Sequence, residues 1–345
     1  MGTRPPVRRA STWPPVSVVV PVLNEERSLR GCVERILADD YPGEVQIVLA
    51  VGPGRDRSGE VASELAAQHP TITVVSNPSG RTPTALNTAV AAARHGIVVR
   101  VDAHGFLPAG YLSRVVTLLT QTGAANVGGQ MVPVGETPLE QAIARAMSSP
   151  LGIGSAPFRV GGAAGPADSV YLGAFRRDVL DEVGGFDEYF TRAQDWELNY
   201  RIRAAGHTVW FDPELQVGYR PRSSFRALWR QFWGSGQWRR EVMHRYPHTV
   251  SARYLAPPLV VAAVTVGSLA GLVGVLGGPR ALAWGWLLAA CYAVFVGLGS
   301  LVVGRDLPAK ALVRLPAVVT TMHVAWGAGF LRGGAGRGRG APPKR

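Results

Sequence analysis

The sequence predicts an α/β domain built on a parallel sheet, followed by transmembrane helices. Three observations predict it. Short β-branched runs alternate with segments of helical periodicity between residues 16 and 101. Most acidic residues precede Glu241, and beyond Tyr254 the chain becomes long apolar runs. The composition agrees: 345 residues, 47% hydrophobic and 17% charged, with 42 Gly, 26 Pro and a net charge of +12, exclude a disordered tail or a collagen-like repeat. Cys32 and Cys291 lie too far apart in sequence and context to suggest a disulfide framework or a thiolate metal site.

Residues 1–15 are basic and Pro-rich (Arg4, Pro5, Pro6, Arg8, Arg9, Pro14, Pro15) and show no apolar run of secretory type, so the amino-terminal part is expected to stay in the cytoplasm. A first domain is expected over 16–218. Its strands are read at 16–23, 46–51, 71–75 and 96–101, its helices at 28–38, 59–68 and 84–94. Strand–helix alternation at this spacing makes a parallel sheet with crossover helices, and ligands of such sheets bind beyond the carboxyl ends of the strands. Residues 128–173, with Met131, Met147, Phe158, Arg159 and many Gly, read as a mobile loop around an acceptor pocket or as plain surface loop.

Residues 219–254 form a basic, Trp-rich approach: Arg220, Arg222, Arg226, Arg230, Arg239, Arg240, Arg245 and Arg253 interleave with Trp229, Trp233 and Trp238. The part from 225 to 240 is amphipathic and suits a helix at the headgroup level. Arg interleaved with aromatics also suits nucleic acid, but the neighbouring apolar spans argue against it, so no nucleic-acid partner is expected. The membrane region, 255–331, holds apolar runs at 255–276, 281–303 and 311–331. The first two lack charge; the third contains Arg314 and His323 and reads as a span or an interfacial helix. Positive-inside logic places the basic approach in the cytoplasm, and the Gly/Arg-rich tail, 332–345, favours a cytoplasmic carboxyl end, which conflicts with three full spans.

Two constellations carry chemistry. Asp102-Ala103-His104 follows the fourth strand, and residues two apart project to the same side, so carboxylate and imidazole can share a divalent ion. An Asp at a strand end also serves as a plain turn cap, and both readings stand. In Gln194-Asp195-Trp196-Glu197, Asp195 falls in the first turn of a helix ending at Gly206, where exposed amides favour a carboxylate. Upstream, Gly184-Gly185-Phe186-Asp187 is a turn where backbone can approach a ligand.

Taken in order, Pro21-Val22-Leu23-Asn24-Glu25-Glu26, Asp102-Ala103-His104, Gly184-Gly185-Phe186-Asp187 and Gln194-Asp195-Trp196-Glu197-Leu198 resemble the motifs of family 2 glycosyltransferases with the GT-A fold, a Rossmann-like nucleotide-sugar-binding domain. The likeness is to the ExoA-like, succinoglycan-biosynthesis subgroup, through Asn77-Pro78-Ser79-Gly80-Arg81-Thr82-Pro83, Val99-Arg100-Val101-Asp102 and Tyr219-Arg220-Pro221-Arg222. The resemblance implies inverting transfer of a single sugar from a nucleotide diphosphate sugar, UDP-sugar favoured, to a hydroxyl of a lipid-linked, polyprenyl acceptor in cell-surface polysaccharide or glycolipid synthesis. It implies donor contacts at Pro21, Asn24, Glu25, Asp56, Arg81, Asn87 and Asp102, Mn²⁺ or Mg²⁺ at Asp102 and His104, and Asp195 as the base. Gly185, Phe186, Asp187, Trp196 and Glu197 fall on the acceptor side. Arg220, Arg222, Gln237, Trp238 and Arg239 are candidates for phosphate or membrane contact.

The chain also departs from the pattern. Val51 stands where the family carries a carboxylate for the base, and His104 replaces the second Asp of Asp-x-Asp. Gln231-Phe232-Trp233-Gly234-Ser235 does not reproduce the Gln-x-x-Arg-Trp of processive synthases, which favours single-sugar addition. Alternatives are a polyprenyl-phosphate sugar synthase, whose ionised acceptor needs the base far less, and a non-catalytic membrane-bound nucleotide-sugar-binding protein. A Rossmann dehydrogenase ranks below these, since no Gly-x-Gly-x-x-Gly follows the first strand. The expected location is the cell membrane, multi-pass, with the catalytic domain on the cytoplasmic side.

Overall fold

A computed structural model describes residues 13–334; the basic residues of 1–12 and the tail beyond 334 lie outside the described residues. The chain begins as read: β1 (Val16–Val22), α1 (Leu29–Leu37), β2 (Val45–Val51), α2 (Ser58–Gln68), β3 (Ile72–Ser76), α3 (Thr82–Ala92) and β4 (Ile97–Arg100). β-branched residues at Val16, Val18, Val20, Ile47 and Val48 are wholly buried, because both faces of a parallel sheet are covered by its crossover helices. Two polar side chains are buried among them. Ser17 and Gln46 are partners in the β1–β2 register, and the Ser17 hydroxyl donates to Gln46 Oε1 at 2.8 Å while the Arg94 amide donates to the same oxygen at 2.8 Å. Each buried dipole is thereby satisfied, which removes the desolvation cost of leaving it unpaired.

The chain continues through β5 (Gly105–Phe106), α4 (Tyr111–Thr122), β6 (Asn126–Pro133), α5 (Pro138–Met147), α6 (Pro150–Ile153), α7 (Pro157–Val160), β7 (Gly165–Pro166), β8 (Tyr171–Arg176), α8 (Arg177–Val183), α9 (Gln194–Ala204) and β9 (Val209–Tyr219). The sheet order is β3-β2-β1-β4-β8-β6-β9-β5, with β7 paired to β9. β1 to β4 are parallel, while β8 runs antiparallel to β4 and to β6, so the sheet is mixed rather than parallel throughout. Residues expected as a mobile loop are partly ordered into α5 to α7. Thr137 and Glu140 form a capping box at α5, each side chain satisfying a backbone amide of the first turn.

Two compact units result. The first comprises Met1–Gly129, Ala164–Phe186 and Leu198–Leu215; the second comprises Gln130–Ala163, Asp187–Glu197 and Gln216–Arg345. The second unit contains α10 (Phe225–Arg245), α11 (Ala252–Val275), α12 (Trp286–Val303), α13 (Ala309–Leu312) and α14 (Leu315–Arg332). The first two apolar runs become helices long and apolar enough to cross a membrane, Tyr254–Val275 and Arg280–Val303, and only 17% and 11% of their apolar windows are buried. The third run behaves differently. In α14, Leu315, Val318, Val319, Met322 and Ala325 are wholly buried, and the helix packs on α10, α11 and α5. His323 Nε2 lies 2.7 Å from the Leu151 carbonyl and Nδ1 lies 3.1 Å from the Tyr292 hydroxyl, so the polar side chain ties α6 and α12 to α14.

The α10–α14 contact is made by backbones. A Cβ on Gly236 would stand 2.0 Å from the Trp326 carbonyl oxygen, and one on Gly329 would stand 2.2 Å from the Trp233 carbonyl oxygen. Small residues facing each other are what permits such an approach. Gln237 Nε2 then donates to the Gly333 carbonyl at 2.8 Å, and the Arg240 guanidinium donates to the Phe330 carbonyl at 3.2 Å, which closes one end of α14. Gly236→Val and Gly329→Val are each expected to destabilise the second unit by at least about 1–3 kcal/mol, the usual cost of overpacking, read as a lowered unfolding midpoint in detergent.

Candidate functional site

In the first unit the site grows from the carboxyl ends of β1, β2 and β4. Pro21 is the one half-buried residue of β1, and Asn24 turns the chain at φ 57°, a left-handed conformation that Asn tolerates better than most residues. Its Oδ1 accepts from the Arg55 amide at 2.7 Å. Asp56 accepts from the Glu26 amide at 3.0 Å and from the Ser58 hydroxyl and amide at 2.6 and 3.1 Å. These bonds, the Ser58 hydroxyl first, lower the pKa of the Asp56 carboxyl. Asn24 and Asp56, expected as donor contacts, therefore use these oxygens to bind the two loops to each other. Val51, the last residue of β2, accepts the Asn77 amide at 2.8 Å and places a branched apolar side chain where the family has a carboxylate.

Beyond β4, Asp102 is gripped by Arg100, whose Nε donates to Oδ1 at 3.0 Å and whose Nη2 lies 3.4 Å from Oδ2. Arg100 is 4% exposed, and its guanidinium stands 6.0 Å over the Phe186 ring. His104 Nδ1 lies 2.8 Å from Glu25 Oε1, and Glu25 Oε2 accepts from the Ser28 hydroxyl at 2.6 Å. The β1 and β4 loops are thus joined through an imidazole–carboxylate contact. Among the described residues no group of three or more His, Cys, Asp and Glu makes a closed metal cage. Asp102 and His104, expected from the sequence to share a divalent ion, are instead engaged by Arg100 and by Glu25.

The Gly184-Gly185 turn is fastened to α3. Asn87 Nδ2 donates to the Phe186 carbonyl at 2.8 Å and Asn87 Oδ1 accepts the Phe186 amide at 2.8 Å, so one side-chain amide replaces a pair of strand bonds. Gly185 sits at φ 66°, and a Cβ there would come 2.8 Å from Asn87 Oδ1. Arg201 Nη2 donates to the Gly185 carbonyl at 2.7 Å. Arg81, also expected at the donor, opens α3 as its N-cap.

In the second unit, Asp195 occupies the first turn of α9, just after Ala193 at φ 61°. A side chain with a Cβ in that region costs on the order of 1–2 kcal/mol and persists only where surrounding contacts fix it. Those contacts are present. Glu197 is wholly buried and accepts from the Tyr246 hydroxyl at 2.8 Å, so it supports the turn from within and does not line a surface for an acceptor. Ala193, Trp196 and Tyr246 pack around Phe190, Trp238 and Val242. Arg239 lies 4.9 Å over the Trp196 ring and 4.2 Å over Tyr254. Asp187 accepts the Tyr189 amide at 2.9 Å and pairs with Arg245 at 3.3 Å. Burial and then the Glu241 carboxylate, which accepts the Tyr189 hydroxyl at 2.8 Å, push Tyr189 up to about 12.

Of the residues read for phosphate or membrane contact, Trp238 belongs to this core and Gln237 to the α14 tie. Arg220 pairs with Glu136. Arg222 Nε donates to Gln231 at 3.2 Å. Sequence reading missed Arg100, Arg201 and Tyr246 as supports. A charged residue ending the apolar run of β4 was the available signal for Arg100.

The model of Glycosyl transferase family 2 matches residues 17–184. The chain is 32% identical to the succinoglycan biosynthesis protein ExoA of Rhizobium meliloti over 319 residues, 91% of this chain and 93% of that one. It is 24% identical over 225 residues, 63% of this chain and 70% of the other, to a dolichyl N-acetyl-alpha-D-glucosaminyl phosphate 3-beta-D-2,3-diacetamido-2,3-dideoxy-beta-D-glucuronosyltransferase of Methanococcus voltae. Among solved structures, a mannosyltransferase from Pyrobaculum calidifontis, crystallised with GDP-Man and Mn²⁺, shares the fold at a TM-score of 0.57 and 22% identity, with 94% of this chain and 88% of that chain covered. Asn87→Ala removes both bonds to Phe186 and is expected to cost about 1–3 kcal/mol and to raise amide exchange at residues 184–187, measured by hydrogen–deuterium exchange.

Proposed function

The chain belongs to glycosyl transferase family 2, and from that premise we propose that it is a membrane-anchored, metal-assisted inverting transferase that adds one sugar to a hydroxyl of a lipid-linked acceptor. The observation that carries the reading is the pair of tied groups at the ends of β1 and β4, Asp102 held by Arg100 and His104 by Glu25, where open α/β sheets bind their ligands. Asp102 and His104 would hold a divalent ion, which supplies neutralisation of the departing diphosphate. Arg100 holds the Asp102 carboxylate at the strand end. The Asn87-fastened turn holds Gly185 in place, while Phe186, expected on the acceptor side, is buried against Phe175 and beneath Arg100.

In this reading Asp195 accepts the proton of the acceptor hydroxyl. The oxygen attacks the anomeric carbon, the bond to the diphosphate breaks, and nucleoside diphosphate leaves. A single displacement inverts that carbon. The strained Ala193 and buried Glu197 fix the turn carrying Asp195, so the carboxylate is oriented before substrate arrives. With Val51 apolar, the base of a UDP-sugar donor would be held by backbone and by packing at the end of β2.

Anchoring rests on α11 and α12, whose Leu259, Val266, Leu269, Phe295, Leu298 and Leu301 are exposed on a scale that water does not tolerate. Two crossings, with α14 packed among its neighbours, would put the segments before and after them on one side, the arrangement that a basic approach and a basic tail both favour. Positive-inside logic favours the cytoplasm for that side.

The test is nucleoside diphosphate release by detergent-purified protein with UDP-, GDP- and dTDP-sugars and extracted polyprenyl-linked lipids. Asp195→Asn should lower turnover by about 10²–10⁴-fold while leaving nucleotide binding intact, the range for loss of a general base. Asp102→Ala and chelation by EDTA should each abolish release. Turnover undiminished in Asp195→Asn would overturn the assignment of the base, and turnover undiminished in EDTA would overturn the metal.

A further inference from the structure

The arginines of the second unit divide into those with a carboxylate partner and those without one. Arg220 pairs with Glu136 and Arg245 with Asp187. Arg192 and Arg222 pair with no carboxylate among the described residues; the hydrogen bond of Arg222 is to neutral Gln231. Both are brought to one helix face. A Cβ on Gly234 would stand 3.0 Å from Arg192 Nε, so this guanidinium rests on the α10 backbone, while Arg222 Nε is held 3.2 Å from Gln231 Oε1. Positions 231 and 234 are three apart, and residues at that spacing stand one above the other on a helix.

Loss of hydration around the Arg192 guanidinium, and next the like charge of Arg222, lower its pKa, with Tyr219 opposing. Like charges gathered without a counter-ion repel, and the repulsion turns to attraction when a dianion sits between them. Guanidinium forks match phosphate oxygens in geometry as well as charge.

We propose that Arg192 and Arg222 form a phosphate-binding subsite for the phosphate group of the lipid-linked acceptor. The assignment rests on the transferase reading above. Three features of the same unit point to a lipid source: α10 begins three residues after Arg222, its Phe225 and Trp229 are exposed, and α11 and α12 carry the bare apolar faces. The donor's diphosphate is the competing source of the same chemistry.

The experiment is calorimetric titration of the full chain in detergent with farnesyl phosphate, farnesol, UDP and GDP. Farnesyl phosphate should bind and farnesol should not. Arg222→Gln, an exposed change that leaves packing alone, and Arg192→Gln should each weaken farnesyl phosphate binding at least about tenfold, with nucleotide affinity unchanged. Arg192→Lys should recover part of the loss, and Arg305→Gln, remote and exposed, should change nothing. Failure of farnesyl phosphate to bind the wild-type protein, wild-type affinity in Arg222→Gln, or a parallel loss of nucleotide binding would each overturn the subsite. A chain that binds farnesyl phosphate through these arginines but releases no nucleoside diphosphate would keep the subsite and sink the transferase reading.

Discussion

Everything in the first unit depends on the parallel pairing of β2, β1 and β4. Val16 is in register with Val45 on one side and Ile97 on the other, so the three strands end along one edge. Parallel strands deliver their following loops to the same end of the sheet, which no local sequence preference could arrange. Glu25 and His104 meet only because of that register, although 79 residues separate them. The bonds of Ser17 and Gln46 reinforce it. A one-residue slip would bury both polar groups without partners and turn every alternate side chain to the wrong face.

What the sequence made legible follows from how local each signal is. β1 to β4 and α1 to α3 were readable to within two residues, because period and β-branching are properties of short windows. The antiparallel half was not. β6 contains Gly128 and Gly129 and ends in Pro133, and β9 carries Asp212 and Pro213, residues that single-sequence preference assigns to turns. Those strands exist because neighbours complete them. The ordered α5 was signalled by Thr137-Pro138 with Glu140, a capping box that the Gly-rich surroundings obscured.

The candidate site divides in the same way. Asp102, His104 and Asp195 stood out by residue type and position beside a predicted element. Their supports did not, since Tyr246 reaches Glu197 across 49 residues and Asn87 reaches Phe186 across 99. Glu197 looks in sequence like one more carboxylate available to a substrate, and burial alone distinguishes it from Asp195. The third apolar run makes the same point on a larger scale. Its composition is that of a span, and its burial against α10, α11 and α5 is a fact of tertiary packing.

The close contact of α10 and α14 has a consequence for how the chain is made. α14 is synthesised after α10 and after both apolar helices between them, so the inner face of α10, with Leu228, Phe232 and Gly236, leaves the ribosome long before its covering exists. α11 and α12 are likewise complete before that covering is made. The second unit therefore matures after translation of α14, and a stalled or truncated chain presents a half-finished helix surface to the cell's quality control.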